Sequence, residues 1–148
     1  MSSLPIIKEP TASLKQKSFK IKEITPEIKR LILDMSQTMK TANGVGLAAC
    51  QIGQNIRLCV ISTDKGVLTL INPKITWKSL RKAVEEEGCL SCPEKFVNVK
   101  RSQIVYVTAL NEAGKPIKFK AKGFFARVIQ HEVDHLDGIL IIDKLRNK

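Results

Sequence analysis

His131-Glu132-Val133-Asp134-His135 sets two imidazoles four residues apart with a carboxylate between them. On a helix, positions i and i+4 lie one turn apart on the same face. Both rings can then converge on one cation while Glu132 handles the proton of a neighbouring water. The chemistry this suggests is metal-assisted hydrolysis. The plainer alternative is a surface helix that happens to carry two titratable histidines.

The chain has 2 histidines and both are in this motif, so a third protein ligand has to be Cys, Asp or Glu. Glu87-Gly88-Cys89-Leu90-Ser91 offers Cys89, whose thiolate joins imidazole readily at zinc or ferrous iron and leaves a fourth position for water. Gly88 beside it allows close approach of backbone to a ligand. In Gly44-Val45-Gly46-Leu47-Ala48-Ala49-Cys50-Gln51, small residues precede a lone amide, and the Gln51 side chain can donate to a developing oxyanion.

Taken together, GVGLAACQ at 44–51, EGCLS at 87–91 and QHEVDHLDG at 130–138 resemble the signatures of the peptide deformylases, in the same order. The opening LPIIKEP is similar to the first strand of that family, and the closing GILIID also fits it, so the likeness covers nearly the whole chain. It implies an α+β fold: antiparallel or mixed β-sheets surround a central C-terminal helix that carries the HExxH motif. It also implies one divalent metal ion per chain, held by Cys89, His131 and His135. Ferrous iron is the expected ion in cells, with zinc, nickel or cobalt as substitutes. The implied reaction is hydrolysis of the formyl group from N-formyl-methionyl peptides. Glu132 moves the proton, and Gln51 and the backbone N–H of Leu90 steady the oxyanion.

The same resemblance places Val45, Gly46, Gly88, Phe124, Arg127 and Val128 around the substrate, and pairs Asp134 with Arg101 as a brace of the metal helix against the sheet. Two positions call for separate reading. Phe96 stands where many bacterial members have an arginine that steadies the peptide backbone, so peptide anchoring must differ here. Arg127 lies one turn before His131 and faces the same way. Either it shapes substrate choice or replaces the missing anchor, or its stem packs while its head reaches solvent.

Two rival readings share some of these residues. Cys89 and Cys92 form a CxxC that, with both histidines, could close a Cys2His2 zinc site in a basic nucleic-acid module. The 38 residues that separate Cys92 from His131 exceed zinc-finger spacing, and neither Glu132 nor GVGLAACQ has a purpose in that reading. A zinc peptidase would draw its third ligand from downstream, where only a short tail follows His135.

The elements that must position these groups follow from pattern. Thr25-Pro26-Glu27 starts a helix, and Ile28, Leu31, Ile32, Met35 and Met39 carry it to about Lys40. Residues 57–62, 67–72, 96–99, 103–110 and 116–122 read as strands, with turns at 64–66 and 111–114. Phe124 to Leu136 reads as the metal helix, stopped by Gly138. At 148 residues and 43% hydrophobic content the chain suits one catalytic domain over 1–148, a form without the extended C-terminal helix of longer relatives.

No apolar run approaches the length of a membrane span, and the start lacks a secretory block. Four cysteines, one of them needed as a thiolate, suit a reducing compartment, so a cytoplasmic monomer is expected. The net charge of +11 is spread along the chain. Alternation in Lys118-Phe119-Lys120-Ala121-Lys122 fits the wet face of a strand, while the overall basicity favours proximity to RNA and hence to the ribosome surface.

Overall fold

Thr25 caps helix α1 (Pro26–Thr41): its hydroxyl accepts from the Ile28 N–H at 3.2 Å, and Pro26 occupies the first turn. Ile32, Met35 and Met39, spaced three and four apart, are its buried stripe. The structure is a computed structural model that describes residues 2–146; Met1 and residues 147–148, the two ends of the expected domain, lie outside the described residues.

Five strands build one antiparallel sheet: β1 (Gly46–Ala48), β2 (Leu58–Thr63), β3 (Gly66–Lys78), β6 (Ile104–Leu110) and β7 (Pro116–Lys122), in the order β1-β2-β3-β6-β7. A separate antiparallel hairpin joins β4 (Lys82–Cys89) to β5 (Cys92–Ser102). The unbroken apolar run of β2 has a simple cause, since the strand is covered on both faces. Leu58 and Val60 pack towards α1, whereas Cys59 and Ile61 pack towards α2 (Gly123–Leu136). Ala126, Val128, Ile129 and Leu136 of α2 fill that second layer, so the helix lies between the five-stranded sheet and the hairpin as expected.

Gly138 ends α2 with φ +76°, and a side chain there would collide with the Lys15 backbone. This contact seats the chain start against the chain end. Leu14, Leu140 and Ile141 then close a small core with Cys92, Val97 and Val99 beneath the hairpin.

Three expectations need correction. LPIIKEP is not a strand but a strap that bonds to unlike elements: Ile7 N–H donates to the Gln51 carbonyl at 2.7 Å and Glu9 N–H to the Ser91 carbonyl at 2.8 Å. The strand at 67–72 continues to Lys78, because Asn72, at φ +52°, absorbs a bulge and bonds both backbone groups of Ile21. The strand at 96–99 is only the middle of β5, and its partner β4, rich in glutamate, was hidden by composition.

Candidate metal centre and catalytic pocket

β4 and α2 bring the three proposed ligands together. Cys89 closes β4, while His131 and His135 sit one turn apart on α2, their rings edge to face with centroids 5.0 Å apart. One donor atom from each lies within 4.8 Å of the others, and Cys89 Sγ is 3.3 Å from His135 Nε2. A thiolate with two imidazoles is a donor set that suits zinc or ferrous iron and leaves room for a fourth ligand.

Orientation comes from Glu87, which precedes Cys89 by two residues across the irregularity in β4. Its Oε1 accepts from His131 Nδ1 at 3.0 Å, which leaves Nε2 to face the cluster. Arg101 holds Glu87 with a two-pronged fork at 2.7 and 2.9 Å and reaches on to Asp134 Oδ2 at 2.8 Å. The Asp134–Arg101 brace is thus part of a larger buried network. Burial opposes charge on Glu87, but hydrogen bonds from His131 and Arg101 overcome it and hold the carboxyl down at about 2.

Glu132 faces the pocket with an oxygen, Oε1, that has no partner and is buried. A Cβ on Gly46 would stand 2.5 Å from the other oxygen, so only glycine at 46 leaves space for this carboxylate. Burial raises its pKa to about 7, against the pull of His131 and Arg101. A carboxyl poised near neutrality can take and return a proton. Burial likewise opposes charge on His131, yet contacts with Cys89 and Glu87 raise it to about 10, whereas burial and the His131 charge push His135 down.

Gln51 is aimed by its own oxygen. Oε1 accepts from Ala48 N–H at 2.9 Å, so the NH2 group turns to Ser91 Oγ at 3.1 Å and Cys89 Sγ at 3.9 Å. Ser91 in turn donates to the Ile7 carbonyl at 2.6 Å, which ties the opening strap to the site.

These groups surround a cavity of about 350 Å³. Val45, Gly46, Gly88, Leu90, Phe124 and Val128 line it, and Phe96 joins them, its ring lying where a Cβ of Gly88 would be 3.1 Å away. Arg127 also lines the cavity, but its head does not reach solvent. It donates to Glu87 Oε2 at 2.5 Å and to the carbonyls of Val99 and Ala83, and pairs with Glu85 at 2.9 Å. The solvent-reaching reading is overturned, because four carbonyl and carboxylate partners on the hairpin outcompete water.

Glu87 and Ser91 are the groups that sequence reasoning passed over. Parity along a strand leaves Glu85 and Glu87 equivalent among three consecutive glutamates, and Ser91 carried no signal. Cys92 lies outside the three-ligand group and packs with Leu14 and Val99 instead, and burial pushes its thiol up to about 12.

A cation held on three sides, with a near-neutral carboxylate beside the open side, is the working part of a metal-dependent hydrolase. The profile of the polypeptide deformylase family matches residues 3–148. The peptide deformylase of Thermodesulfovibrio yellowstonii is 45% identical across 98% of this chain and 90% of its own length. Peptide deformylase 1 of Clostridium acetobutylicum is 49% identical across 89% of this chain and 87% of its own. Among solved structures, the Thermotoga maritima peptide deformylase superposes with a TM-score of 0.94 at 37% identity, covering 97% of both chains. The Ehrlichia chaffeensis enzyme in complex with actinonin gives a TM-score of 0.94 at 36% identity, covering 97% of this chain and 88% of that one. The chain belongs to the polypeptide deformylase family, whose members are metal-dependent enzymes. The closed Cys2His2 nucleic-acid reading has no support from these relatives.

Proposed function

We propose that this protein hydrolyses the formyl group from the N-terminal formyl-methionine of nascent peptides and releases formate. The observation that carries this reading is the buried, partnerless Glu132 oxygen beside the Cys89–His131–His135 cluster at the base of the cavity.

Cys89, His131 and His135 would hold one divalent ion, ferrous iron in cells, with zinc, nickel or cobalt able to replace it. When bound, the ion makes water acidic enough to attack near neutral pH and polarises the formyl oxygen. Glu132 takes the proton of the attacking water and delivers it to the departing amine. The Gln51 NH2 and the Leu90 N–H donate to the oxygen that gains charge. Val45, Phe124 and Val128 give the methionine side chain apolar walls, and Gly46 and Gly88 let the peptide backbone approach. Phe96 offers a flat apolar surface where an arginine would have offered hydrogen bonds. Arg127 serves the pocket from behind, through Glu87.

No helix among the described residues is long and apolar enough to cross a membrane. The charge of +11 supports a monomer that meets its substrates near the ribosome surface, and that reading puts its work in the cytoplasm.

Formate release from a formyl-Met tripeptide by anaerobically metal-loaded protein tests the reading, run beside Glu132→Gln. Wild type should turn over, and the variant should keep its metal while losing about 100- to 10,000-fold in kcat. No release from a sample holding one metal per chain would sink the proposal.

A further inference from the structure

Cys92 is a buried thiol that the proposed reaction does not use, and it stands beside the one thiol that the reaction needs. Cys89 and Cys92 are direct partners across the β4–β5 hairpin, separated only by the turn Leu90-Ser91. Cross-strand partners present their side chains on the same face, with Cα atoms about 4.5–5.5 Å apart. A disulfide spans Cα separations of about 4.4–6.8 Å, so the two sulfurs can join without a change of register. Both thiols are free.

The turn between them is held from outside. The Ser91 carbonyl accepts from Glu9 N–H at 2.8 Å and the Ser91 hydroxyl donates to the Ile7 carbonyl at 2.6 Å, so the opening strap fixes the backbone that joins the two cysteines. Access is the second condition: of the chain's 4 cysteines, Cys89 and Cys92 are the pair that line the catalytic cavity. Cys50 and Cys59 are enclosed in the core of the five-stranded sheet, with Cys50 Sγ turned to the His135 carbonyl at 3.5 Å. Cys89 is the more open of the pair, whereas Cys92 is 1% exposed and packs with Leu14 and Val99.

We propose that Cys89 and Cys92 are a redox-modification site: hydrogen peroxide that enters the cavity converts them to a reversible disulfide and so withdraws Cys89 from the metal. One peroxide oxygen passes to the Cys89 thiolate as the O–O bond breaks, the other leaves as hydroxide, and Cys89 becomes a sulfenic acid. Cys92 Sγ then attacks that sulfur; the S–S bond forms, the S–O bond breaks, and the departing hydroxide takes the proton of Cys92 and leaves as water. Burial, and then the neighbouring Cys89, hold Cys92 in the protonated form that supplies this proton. The two sulfurs together give up two electrons to one peroxide. The bond stops Cys89 short of the sulfinic and sulfonic acids, from which a thiol reductant cannot bring it back. Its effect on the metal rests on Cys89 being a ligand, as in the proposed reaction, whereas the bond itself does not.

Zn2+-loaded full-length protein is treated with excess hydrogen peroxide, because zinc has no redox chemistry of its own and leaves the oxidation to sulfur. The tryptic peptide 83–95 holds both cysteines. Its mass should fall by two hydrogens, two of the 4 thiols should disappear from the denatured chain, and one Zn2+ per chain should reach a chromogenic indicator. A dithiol reductant with fresh Zn2+ should reverse all three changes. In Cys92→Ser and in Cys92→Ala the same peptide should gain oxygens instead, and Zn2+ binding recovered after reduction should be at least about tenfold lower than in wild type.

A wild-type peptide 83–95 that gains oxygen, or that is cross-linked to Cys50, would overturn the proposal, as would equal recovery in wild type and both variants. The wild-type mass needs no variant, so a substitution that loosens the hairpin leaves the decision intact. Zn2+ retained by a chain whose peptide has lost two hydrogens would overturn the withdrawal of Cys89 from the metal. Formate release from a formyl-Met tripeptide is measured on the reduced protein, and its absence there bears on the proposed reaction alone.

Discussion

Glu87 and His131 share a hydrogen bond of 3.0 Å that fixes the proton of the imidazole on Nδ1 and so decides which nitrogen meets the metal. Arg101 and Arg127 both hold the same carboxylate, so one buried glutamate links the hairpin, the metal helix and the ligand geometry.

Glu87→Gln should therefore weaken metal binding roughly 10- to 100-fold, the usual cost of losing a partner that orients a ligand. It should also lower the melting temperature, because two buried guanidiniums would then face a neutral amide, a change that can cost about 3–5 kcal/mol. Competition with a chromogenic chelator and thermal denaturation check the two effects. Unchanged metal affinity would remove Glu87 from its orienting role.

Gly46→Ala places a methyl 2.5 Å from Glu132 Oε2, so the carboxylate has to move. A displacement near 1 Å is enough for a loss of about 100-fold in kcat, with metal content unchanged. Steady-state kinetics beside metal analysis separates this from loss of the ion; full activity would mean that Glu132 works from another position.

Cys89→Ser should lose both metal and activity, whereas Cys92→Ser should keep both. The second variant places a hydroxyl in the apolar group around Leu14, Val99 and Leu140, at a cost to stability of about 1–3 kcal/mol. Metal analysis of Cys92→Ser is the decisive reading, since a four-ligand site would lose its ion.

The pH dependence has a definite sign. In the metal-free protein His131 is raised to about 10 from an ordinary 6.5, so its stabilising contribution is complete below 6.5 and lost as pH climbs towards 10. Metal binding runs the other way, because His131 must surrender the proton on the nitrogen that binds. Across the same window the metal-free melting temperature should fall while Co2+ affinity rises and loading releases protons. Scanning calorimetry and titration in buffers of different ionisation enthalpy read both trends, and parallel trends would contradict the assignment.

The ligand set is legible in the sequence because a helix fixes the two histidines and a strand presents Cys89, each through a short, rigid local rule. The strap at Ile7 and the network around Glu87 are not, since they depend on which of several similar residues meets a distant partner. Three successive glutamates look alike until Arg101 and Arg127 select Glu87. Asn72-Pro73 similarly looks like a strand end until Ile21 supplies the hydrogen bonds that carry β3 through its bulge. Arg127 reads either as a pocket residue or as a cation whose head reaches solvent, and its partners Ala83, Val99, Glu85 and Glu87 on the hairpin show that it is enclosed.

α2 faces the catalytic cavity with one set of side chains and the core of the five-stranded sheet with another. Each residue advances a helix by about 100°. One residue added or removed between Gly123 and His131 would swing the imidazoles out of register with Cys89 and away from the catalytic cavity. The chain can change length cheaply at the exposed turn around Glu112 and Ala113, but this helix has no such freedom: its residue count is as much a part of the chemistry as its histidines.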